Sequence, residues 1–252
     1  MARNPAYPAV MSAGRVLELW RWPVKSMGGE RVRSTRVDDR GAGGDRTHAV
    51  LHEHKGEWKP LTAREAPRLL AWRAAYPFAA DAGLRPERPP YAHVTSPDGE
   101  RTFGWDDPRL QRALEDDLGR PVRLTRDVGG IQDLERSVLV TVEATRAALE
   151  EELGTELDLR RFRTNLHLEL DAPAWAEHEL EGGTLTCAGG VTVRLLHPCV
   201  RCAIPTRDPR TQEKWPELLR HLAARHGTMF GINARVLRSG RVAAGETVEL
   251  GL

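Results

Sequence analysis

The chain has 252 residues, of which 40% are hydrophobic and 29% charged, and its 37 basic and 36 acidic residues leave a net charge of +1. This composition is typical of a soluble protein that buries a core, and the balanced charge gives no support to binding of nucleic acid or of a membrane surface. Three cysteines are too few for a disulfide scaffold, and no apolar run reaches membrane-spanning length. We therefore expect a cytoplasmic protein.

The first half of the chain predicts short strands separated by turns. The run 14–22 alternates apolar and polar residues, and Pro23 ends it before a turn that carries Lys25. A glycine-rich loop over 41–46 follows. The same alternation predicts strands at 14–22, 30–38, 47–53, 91–95, 101–105 and 121–126.

Helices are expected where start and stop signals flank a helical period. Thr62 and Glu65 form a capping box ahead of a helix to about residue 72, which Pro67 makes short or irregular. Asp107 followed by proline opens a helix that stops at Gly119. Two further helices are predicted over 143–153 and 216–225.

The second half begins at Gly129-Gly130, the best candidate for a domain boundary, and again predicts strands. The many short strands and four scattered helices do not alternate as they would in a doubly wound βαβ fold. Two β-rich units, barrel-like or sandwich-like, fit this order better. The strands of the second half are predicted at 138–142, 165–170, around Gly189-Gly190, 229–237 and 247–250.

Two of the three cysteines, Cys199 and Cys202, lie in the segment 197–209, directly after an alternating run. A structural zinc site would need a second pair of ligands, for which only Cys187 and one histidine are available. A thioredoxin-type pair would open a helix, which nearby prolines disfavour. The other interpretations are two buried structural thiols, or a thiolate beside Arg201 that ligates a metal or carries sulfur.

Isolated cations lie in loops between the predicted strands, among them Lys25, Arg46 and a group over 160–163. Each by itself is most simply a solvated surface charge. Together with Arg201 they would suit a pocket for an anionic ligand, in which glycines let backbone N–H groups approach a phosphate. Composition does not show that they converge.

The histidines predict no metal site. His48, His52 and His54 alternate along one strand without a carboxylate at a defined spacing. His221 and His226 are five residues apart on the last predicted helix, which does not place them on one face. The motifs of serine hydrolases, P-loop nucleotide hydrolases and zinc proteases are also absent.

Several segments, in order, resemble the MOSC family and the β-barrel domain that precedes it. Trp22-Pro23-Val24-Lys25-Ser26 is similar to a signature of that N-terminal domain, and Arg161-Phe162-Arg163-Thr164-Asn165 to an R-F-R-P-N motif of the MOSC domain. Cys199-Val200-Arg201-Cys202 resembles its cysteine motif. The other matching segments are 44–46, 61–69, 206–209, 230–234 and 245–248, so the resemblance covers about residues 13–252.

The resemblance implies a mainly β protein with some α structure (α+β). It would consist of two β-barrel-like domains, an N-terminal MOSC-associated barrel over 13–128 and a MOSC barrel over 129–252. It also implies the molybdenum cofactor, molybdopterin with molybdenum, with Cys202 as metal ligand and catalytic residue. The residues implied to bind the cofactor are Lys25, Ser26, Arg46, Ser137, Arg163, Asn165, Arg201 and Asn233.

Members of this family include the mitochondrial amidoxime-reducing component, bacterial reductases of N-hydroxylated bases and the C-terminal part of molybdenum cofactor sulfurase. The first expectation is therefore an oxidoreductase that reduces N-hydroxylated or N-oxide compounds. Its electrons are expected from a separate redox protein, because no ferredoxin segment follows Leu252. Since no desulfurase domain precedes Met1, complete cofactor sulfurase activity is not expected. The alternative is a sulfur or cofactor carrier without reductase activity. A third hypothesis is a zinc-stabilised β protein that uses Cys187, Cys199 and Cys202.

Two departures from the family pattern carry expectations of their own. Thr164 stands where the family usually has proline, which is expected to loosen the loop that presents Arg163 and Asn165. Thr47-His48 replaces the usual basic and aromatic pair after Gly-Asp-Arg. Neither change removes a residue that is expected to bind the cofactor.

Overall fold

A computed structural model describes residues 13–77, 84, 87–131 and 137–252. The predicted lead-in at 1–8 and part of the predicted connection over 77–90 lie outside the described residues. The helices are α1 Pro108–Leu118, α2 Glu143–Leu153 and α3 Pro216–Arg225. The strands are β1 Ala13–Arg21, β2 Glu30–Val32, β3 Ser34–Asp38, β4 Gly41–Ala42, β5 His48–His54, β6 Glu57–Pro60, β7 Arg73–Ala75, β8 His93–Thr95, β9 Thr102–Gly104, β10 Arg123–Arg126, β11 Val138–Val142, β12 Leu166–Leu170, β13 Thr184–Cys187, β14 Thr192–Val200, β15 Met229–Arg238, β16 Gly240–Ala243 and β17 Thr247–Gly251.

Seven strands form a closed barrel in the order β12-β11-β15-β14-β13-β17-β1, which pairing of β1 with β12 completes. The β11–β12 pair is parallel and the other barrel pairs are antiparallel. Closure removes the exposed sheet edges that would otherwise invite pairing with another chain. The barrel interior is filled by alternating apolar side chains such as Val16, Val140 and Leu168. The predicted mainly β fold with a few helices is confirmed.

The barrel includes a strand from the N-terminal end of the chain. Gly14 and Arg15 of β1 pair with β17, and the register from Gly14 to Leu19 pairs with β12. Val16 and Leu19 are both fully buried in the same core as the C-terminal strands, although they are three residues apart, because the register of β1 against β12 shifts between Val16 and Glu18. The division into 13–128 and 129–252 stays a prediction, and the barrel draws strands from both sides of it.

Three small sheets hold most of the other strands of the N-terminal half, and one of them also includes β16 from near the C-terminus. Their orders are β10-β5-β6, β16-β3-β4 and β7-β8-β9. A second apolar core, which includes Val50, Trp72, Val94 and Leu110, packs two of these sheets against α1. The predicted strand 30–38 is divided into β2 and β3, which pair with different partners, β1 and β16.

The helix ends largely follow their local signals. Asp107 caps α1 by accepting a hydrogen bond from the backbone nitrogen of Arg109 at 2.9 Å, and Gly119 ends it at a φ of 64°. The helix predicted from Thr62 is instead a turn followed by a 3₁₀ helix, Pro67–Ala71. The carboxylate of Glu65 does accept from the backbone nitrogen of Thr62 at 3.1 Å, but the proline lacks the N–H that an α-helix needs.

A third apolar cluster joins α2 and α3 to the base of the loop that precedes β12. Its centre is the stacked pair Phe162 and Phe230, whose ring centroids are 3.8 Å apart, and Leu149, Leu218 and Leu222 pack around them. Phe162 also lines the candidate site, so this cluster packs directly behind the site and supports it. No helix in the described part of the chain is long and apolar enough to cross a bilayer.

Candidate functional site

A pocket of about 400 Å³ brings together residues that are far apart in the chain. Its volume lies within the usual range of small-molecule sites, about 300–1,000 Å³. All nine residues predicted from the motifs line it: Lys25, Ser26, Arg46, Ser137, Arg163, Asn165, Arg201, Cys202 and Asn233. Their convergence is therefore shown, while the role of each stays a prediction.

Other lining residues were not assigned to the site from the sequence. Arg64 and Thr62 belong to a segment that resembled the family, but no motif gave them a function. His197 lies beside the cysteines and its Nδ1 is 3.4 Å from Nδ2 of Asn233. The remaining additions, which include Leu139 and Ile204, supply apolar wall. Only the folded arrangement could identify them.

The strand that leads into the cysteine segment is longer than predicted. Strand β14 continues to Val200, with two of its three register shifts against β15 falling between Leu195 and Val200, and a 3₁₀ helix, Ile204–Thr206, follows. Cys199 and Cys202 are both half-buried and both line the pocket. Position 199 therefore lies in the irregular end of a strand and position 202 in the loop after it.

Arg201 contacts the sulfur of Cys199. Its Nη1 donates to Sγ at 3.0 Å, and its Nη2 donates to the carbonyl oxygen of Phe162 at 2.7 Å. The guanidinium therefore contacts the thiol two residues earlier, at the end of β14, rather than the thiol that follows it. Arg201 thus joins the cysteine segment to the loop that carries Arg163.

The three cysteines do not form a zinc site. Cys187 is buried in the barrel core, and burial raises its pKa to about 11, with a smaller contribution from Glu246. Cys199 and Cys202 line the pocket instead. In the part of the chain that the structure describes, no three metal-ligating groups meet at the cysteines. The zinc hypothesis that used all three is therefore not supported.

The loop that presents Arg163 is held firmly. Arg163 adopts a φ of 58°, its Nη1 donates to the carbonyl of Met27 at 2.6 Å, and its guanidinium lies 4.4 Å from the ring centroid of Trp22. Thr164 is fully buried, and its hydroxyl lies 3.0 Å from the carbonyl oxygen of Leu166. This hydroxyl bonds to the backbone at the position where the family has proline, and the expected loosening of the loop stays a prediction.

Asn165 positions the strand ends next to the pocket. Its Oδ1 accepts from the backbone nitrogen of Leu139 at 3.1 Å, and its Nδ2 donates to the carbonyl of Trp20 at 3.3 Å. It is almost completely buried. The amide therefore joins the start of β12 to β11 and β1, an arrangement that keeps Ser137, just before β11, at the pocket wall.

The N-terminal wall is formed by two loops that are hydrogen-bonded to each other. The backbone nitrogen of Arg46 donates to the carbonyl of Trp22 at 2.7 Å, and that of Lys25 donates to His48 at 2.8 Å. The Oγ of Ser26 accepts from the backbone nitrogen of Ala63 at 3.0 Å. These bonds hold Lys25, Ser26 and Arg46 in place before any ligand binds.

Backbone strain is concentrated at this site. Ser26, Arg46 and Arg163 have φ values of 67°, 49° and 58°, and they are three of the seven non-glycine residues with positive φ in the described chain. Such conformations cost about 1–3 kcal/mol each and persist where the surroundings over-determine them, often at ligand sites. Three in one pocket support a role in binding.

The pocket is cationic. Lys25, Arg46, Arg64, Arg163 and Arg201 line it, and its described lining residues include no carboxylate. The Nε of Arg201 is buried without a hydrogen-bond partner among the described residues. A buried unpaired donor costs about 1–3 kcal/mol, which an acceptor on a bound anion would relieve. The residues present therefore fit a ligand with phosphate and anionic sulfur groups.

His48 lies behind the loop that presents Lys25. It is fully buried, its backbone nitrogen donates to the carbonyl of Pro23, and its ring meets that of Trp105 edge-on at 4.9 Å. Burial lowers the pKa of His48 to about 4, against an opposing hydrogen bond to Pro23. The ring therefore replaces the family's aromatic residue as a neutral, packed side chain.

Stability is expected to fall in acid partly through His48. Because its folded pKa lies below the unfolded value, its contribution is complete above about pH 6.5 and is lost as the pH falls towards 4. The loss between pH 7 and 4.5 is on the order of 2–3 kcal/mol. Urea unfolding of wild type and His48→Gln across this range measures it. Burial lowers the pKa of His167 and His178 too, so the variant should lose less stability but not become pH-independent. Equal losses in both proteins would refute the assignment.

Comparison with known families gives two matches along the chain. The family described as MOSC domain matches residues 99–249, and the family described as MOSC N-terminal beta barrel domain matches residues 13–112. Together they span the barrel and the three small sheets. No match is found among curated proteins.

Solved structures resemble the chain in fold. The YuaD protein from Bacillus subtilis has a TM-score of 0.50 at 14% identity, with 96% of this chain and 97% of that chain covered. YiiM from Geobacillus stearothermophilus has a TM-score of 0.36 at 17% identity, with 46% of this chain and 54% of that chain covered. At such identity the likeness to YuaD indicates a common fold only.

Proposed function

Because the chain belongs to the MOSC domain family, which is associated with the molybdenum cofactor, we propose that its pocket binds this cofactor and that the protein is a molybdenum-dependent oxidoreductase. One observation carries the proposal: the cationic side chains and the thiol of Cys202 line a single pocket whose described lining has no carboxylate. Such a site attracts an anionic group and offers a soft metal ligand beside it.

The residues divide into two roles. The thiolate of Cys202 would ligate molybdenum, and the cations, with Ser26, Ser137, Asn165 and Asn233, would hold the phosphate and pterin. Arg201 would direct its buried Nε to the bound anion while its Nη groups keep their contacts with Cys199 and Phe162. When bound, the cofactor supplies two-electron chemistry and an acceptor for oxygen.

The substrate class would be N-hydroxylated or N-oxide compounds, reduced with electrons from a separate donor protein. Val200 is 69% exposed and His197 is also exposed, so this side of the pocket is open to solvent. Small molecules and a donor protein would both approach there. The reaction would take place in the cytoplasm, with neither nucleic acid nor membrane as a partner.

A sulfur or cofactor carrier is the second candidate, and one observation favours it. Cys199 is a second thiol in the same pocket, 3.0 Å from Nη1 of Arg201. Transfer of sulfur between thiols needs two of them within one site, and Cys199 lines the same pocket as Cys202. In that case Cys202 would carry a persulfide or pass the cofactor on, without turnover of an N-hydroxylated substrate.

The deciding experiment uses protein produced in a host that makes the cofactor. Molybdenum and pterin contents near one per chain, with turnover of an N-hydroxylated compound by a chemical reductant, are expected for the reductase. Molybdenum without turnover would favour the carrier. Zinc at the cysteines in place of molybdenum would overturn both.

Replacing Arg163 by alanine is expected to accelerate release of bound pterin by about tenfold or more, since a buried charge-assisted hydrogen bond contributes about 1.5–3 kcal/mol. The measurement is pterin fluorescence after dialysis of loaded protein. Arg160→Ala is the matched control, because Arg160 pairs with Asp158 at 2.5 Å and does not line this pocket. Equal retention in the two variants would contradict the role of Arg163.

A further inference from the structure

Outside this pocket, two histidines and a glutamate meet where α2 and α3 end. Nε2 of His221 lies 2.5 Å and Nε2 of His226 lies 2.7 Å from Oε2 of Glu152. All three atoms lie within 4.8 Å of one another. Among the described residues, these three form the one group of histidine, cysteine or carboxylate side chains that is close enough together to hold a metal ion. The side chains of His221 and Glu152 are each 24% exposed and that of His226 is 13% exposed, so an ion has access from solvent.

The expectation that the two histidines point apart is wrong because the helix ends between them. Helix α3 stops at Arg225, and His226 has a non-helical φ of −133° and ψ of 25°. Its backbone nitrogen still donates to Leu222 at 2.9 Å, which holds the turn tightly against the helix end. The change of backbone direction brings its ring to the same carboxylate as that of His221.

Stacking against a tryptophan also fixes the orientation of the His226 ring. Trp175 stacks on it with ring centroids 3.6 Å apart and an interplanar angle of 12°. Trp175 packs in turn against the cluster of Phe162 and Phe230. A ligand ring that packing has already oriented loses little freedom when an ion binds, which favours a site built on these residues.

The three ligand atoms of this cluster are close enough together to hold one cation. The Nε2 atoms of His221 and His226 both hydrogen-bond to the same carboxylate oxygen of Glu152. A neutral imidazole that carries its proton on Nδ1 presents a lone pair at Nε2, so a shift of that proton in each ring provides two imidazole nitrogens beside the carboxylate. This is a set that binds zinc with a position open for water, at ligand distances of about 2.0–2.2 Å.

We propose that Glu152, His221 and His226 form a site for a divalent transition-metal ion, with zinc as the best match, which ties the end of α2 to the end of α3. Binding replaces the two hydrogen bonds to Glu152 by ligand bonds to the ion and involves no change of oxidation state. The ion would brace the part of the fold that supports the cysteine segment, since Trp215, just before α3, donates its backbone N–H to Thr206 at 2.7 Å.

Titration of the full-length protein with zinc alone tests the site. One equivalent is expected to bind, and His226→Ala and Glu152→Gln should each weaken this binding at least tenfold. Glu152→Gln keeps the shape of the side chain, so its effect does not depend on a folding defect. The matched control, His54→Ala, removes an exposed histidine of β5 and should leave the affinity unchanged.

Cobalt(II) distinguishes this site from the cysteines. Ligation by histidine and carboxylate gives d–d absorption without thiolate-to-metal charge transfer, and Cys202→Ala should not alter that spectrum. At a metal concentration a hundred times the dissociation constant, the unfolding temperature of wild type should rise by about 5 °C or more, and that of Glu152→Gln should not. Thiolate charge transfer, or equal zinc binding by wild type and both site variants, would overturn the proposal. Because no cofactor is needed, either result leaves the molybdenum proposal to be judged separately.

Discussion

Replacing Cys202 by alanine is expected to remove bound molybdenum and to lower turnover of an N-hydroxylated substrate by well over 100-fold. Changes in residues that merely orient a metal ligand typically cost about 10–100-fold, so loss of the ligand itself should cost more. Cys202 is half-buried and lines the cationic pocket, where no other described residue is predicted to ligate the metal. Metal analysis and a steady-state assay on protein loaded in the cell measure both effects.

Cys199→Ala is the matched control for this variant. It removes a thiol of the same pocket, but its described contact is with Nη1 of Arg201, whose Nη2 remains bonded to Phe162. We therefore expect molybdenum content to be retained and turnover to fall by less than about tenfold, since one hydrogen bond to a charged group is at stake. Equal loss of metal in the two variants would contradict the assignment of Cys202 as the ligand.

Replacing Phe162 by alanine is expected to lower the free energy of unfolding by about 3–5 kcal/mol. Its ring is fully buried, stacks on Phe230 at 3.8 Å and lies 5.6 Å from the guanidinium of Arg201. Truncation would leave a cavity between the third apolar cluster and the pocket, so Arg201 should also lose support. Urea unfolding of protein free of metal gives the stability, without any dependence on the cofactor.

Phe162→Leu separates the lost volume from other effects. Leucine fills most of the space and leaves the backbone carbonyl that Arg201 uses, so a cost of less than about half that of alanine is expected. A loss below about 1 kcal/mol for Phe162→Ala would mean that the cluster does not hold the base of the pocket. A large stability loss with unchanged pterin retention would mean instead that this core and the site are independent.

Local structure is predicted well where residues interact with near neighbours in the chain. The apolar run over 138–142, the strand predicted at 229–237, and the cap at Asp107 with Gly119 at the other end recur as β11, β15 and α1. Pro67 was expected to disturb its helix, and a 3₁₀ helix stands there. Short strands such as β7 and β16 were missed because three or four residues carry too little periodicity to be recognised.

The candidate residues of the site came from motifs, since spacing along the chain says nothing about the convergence of distant loops. Arg64 and His197 were missed because no local signal distinguishes a lining residue from a surface one. The zinc-like cluster was rejected by a spacing rule that holds only inside a helix. The end of α3 at Arg225 invalidated that rule for His226.

The sequence by itself determined the class of the fold, most strand and helix positions, the family, and the nine residues expected at the site. These follow from periodicity, capping and motif, which depend on neighbours in the chain. The tertiary structure alone decided that β1 closes the barrel, that Arg201 bonds to Cys199, and that the hydroxyl of Thr164 bonds to the backbone. The physical reason is that each of these is set by hydrogen bonds and packing between residues distant in sequence or by the local direction of the folded backbone, neither of which a linear pattern encodes.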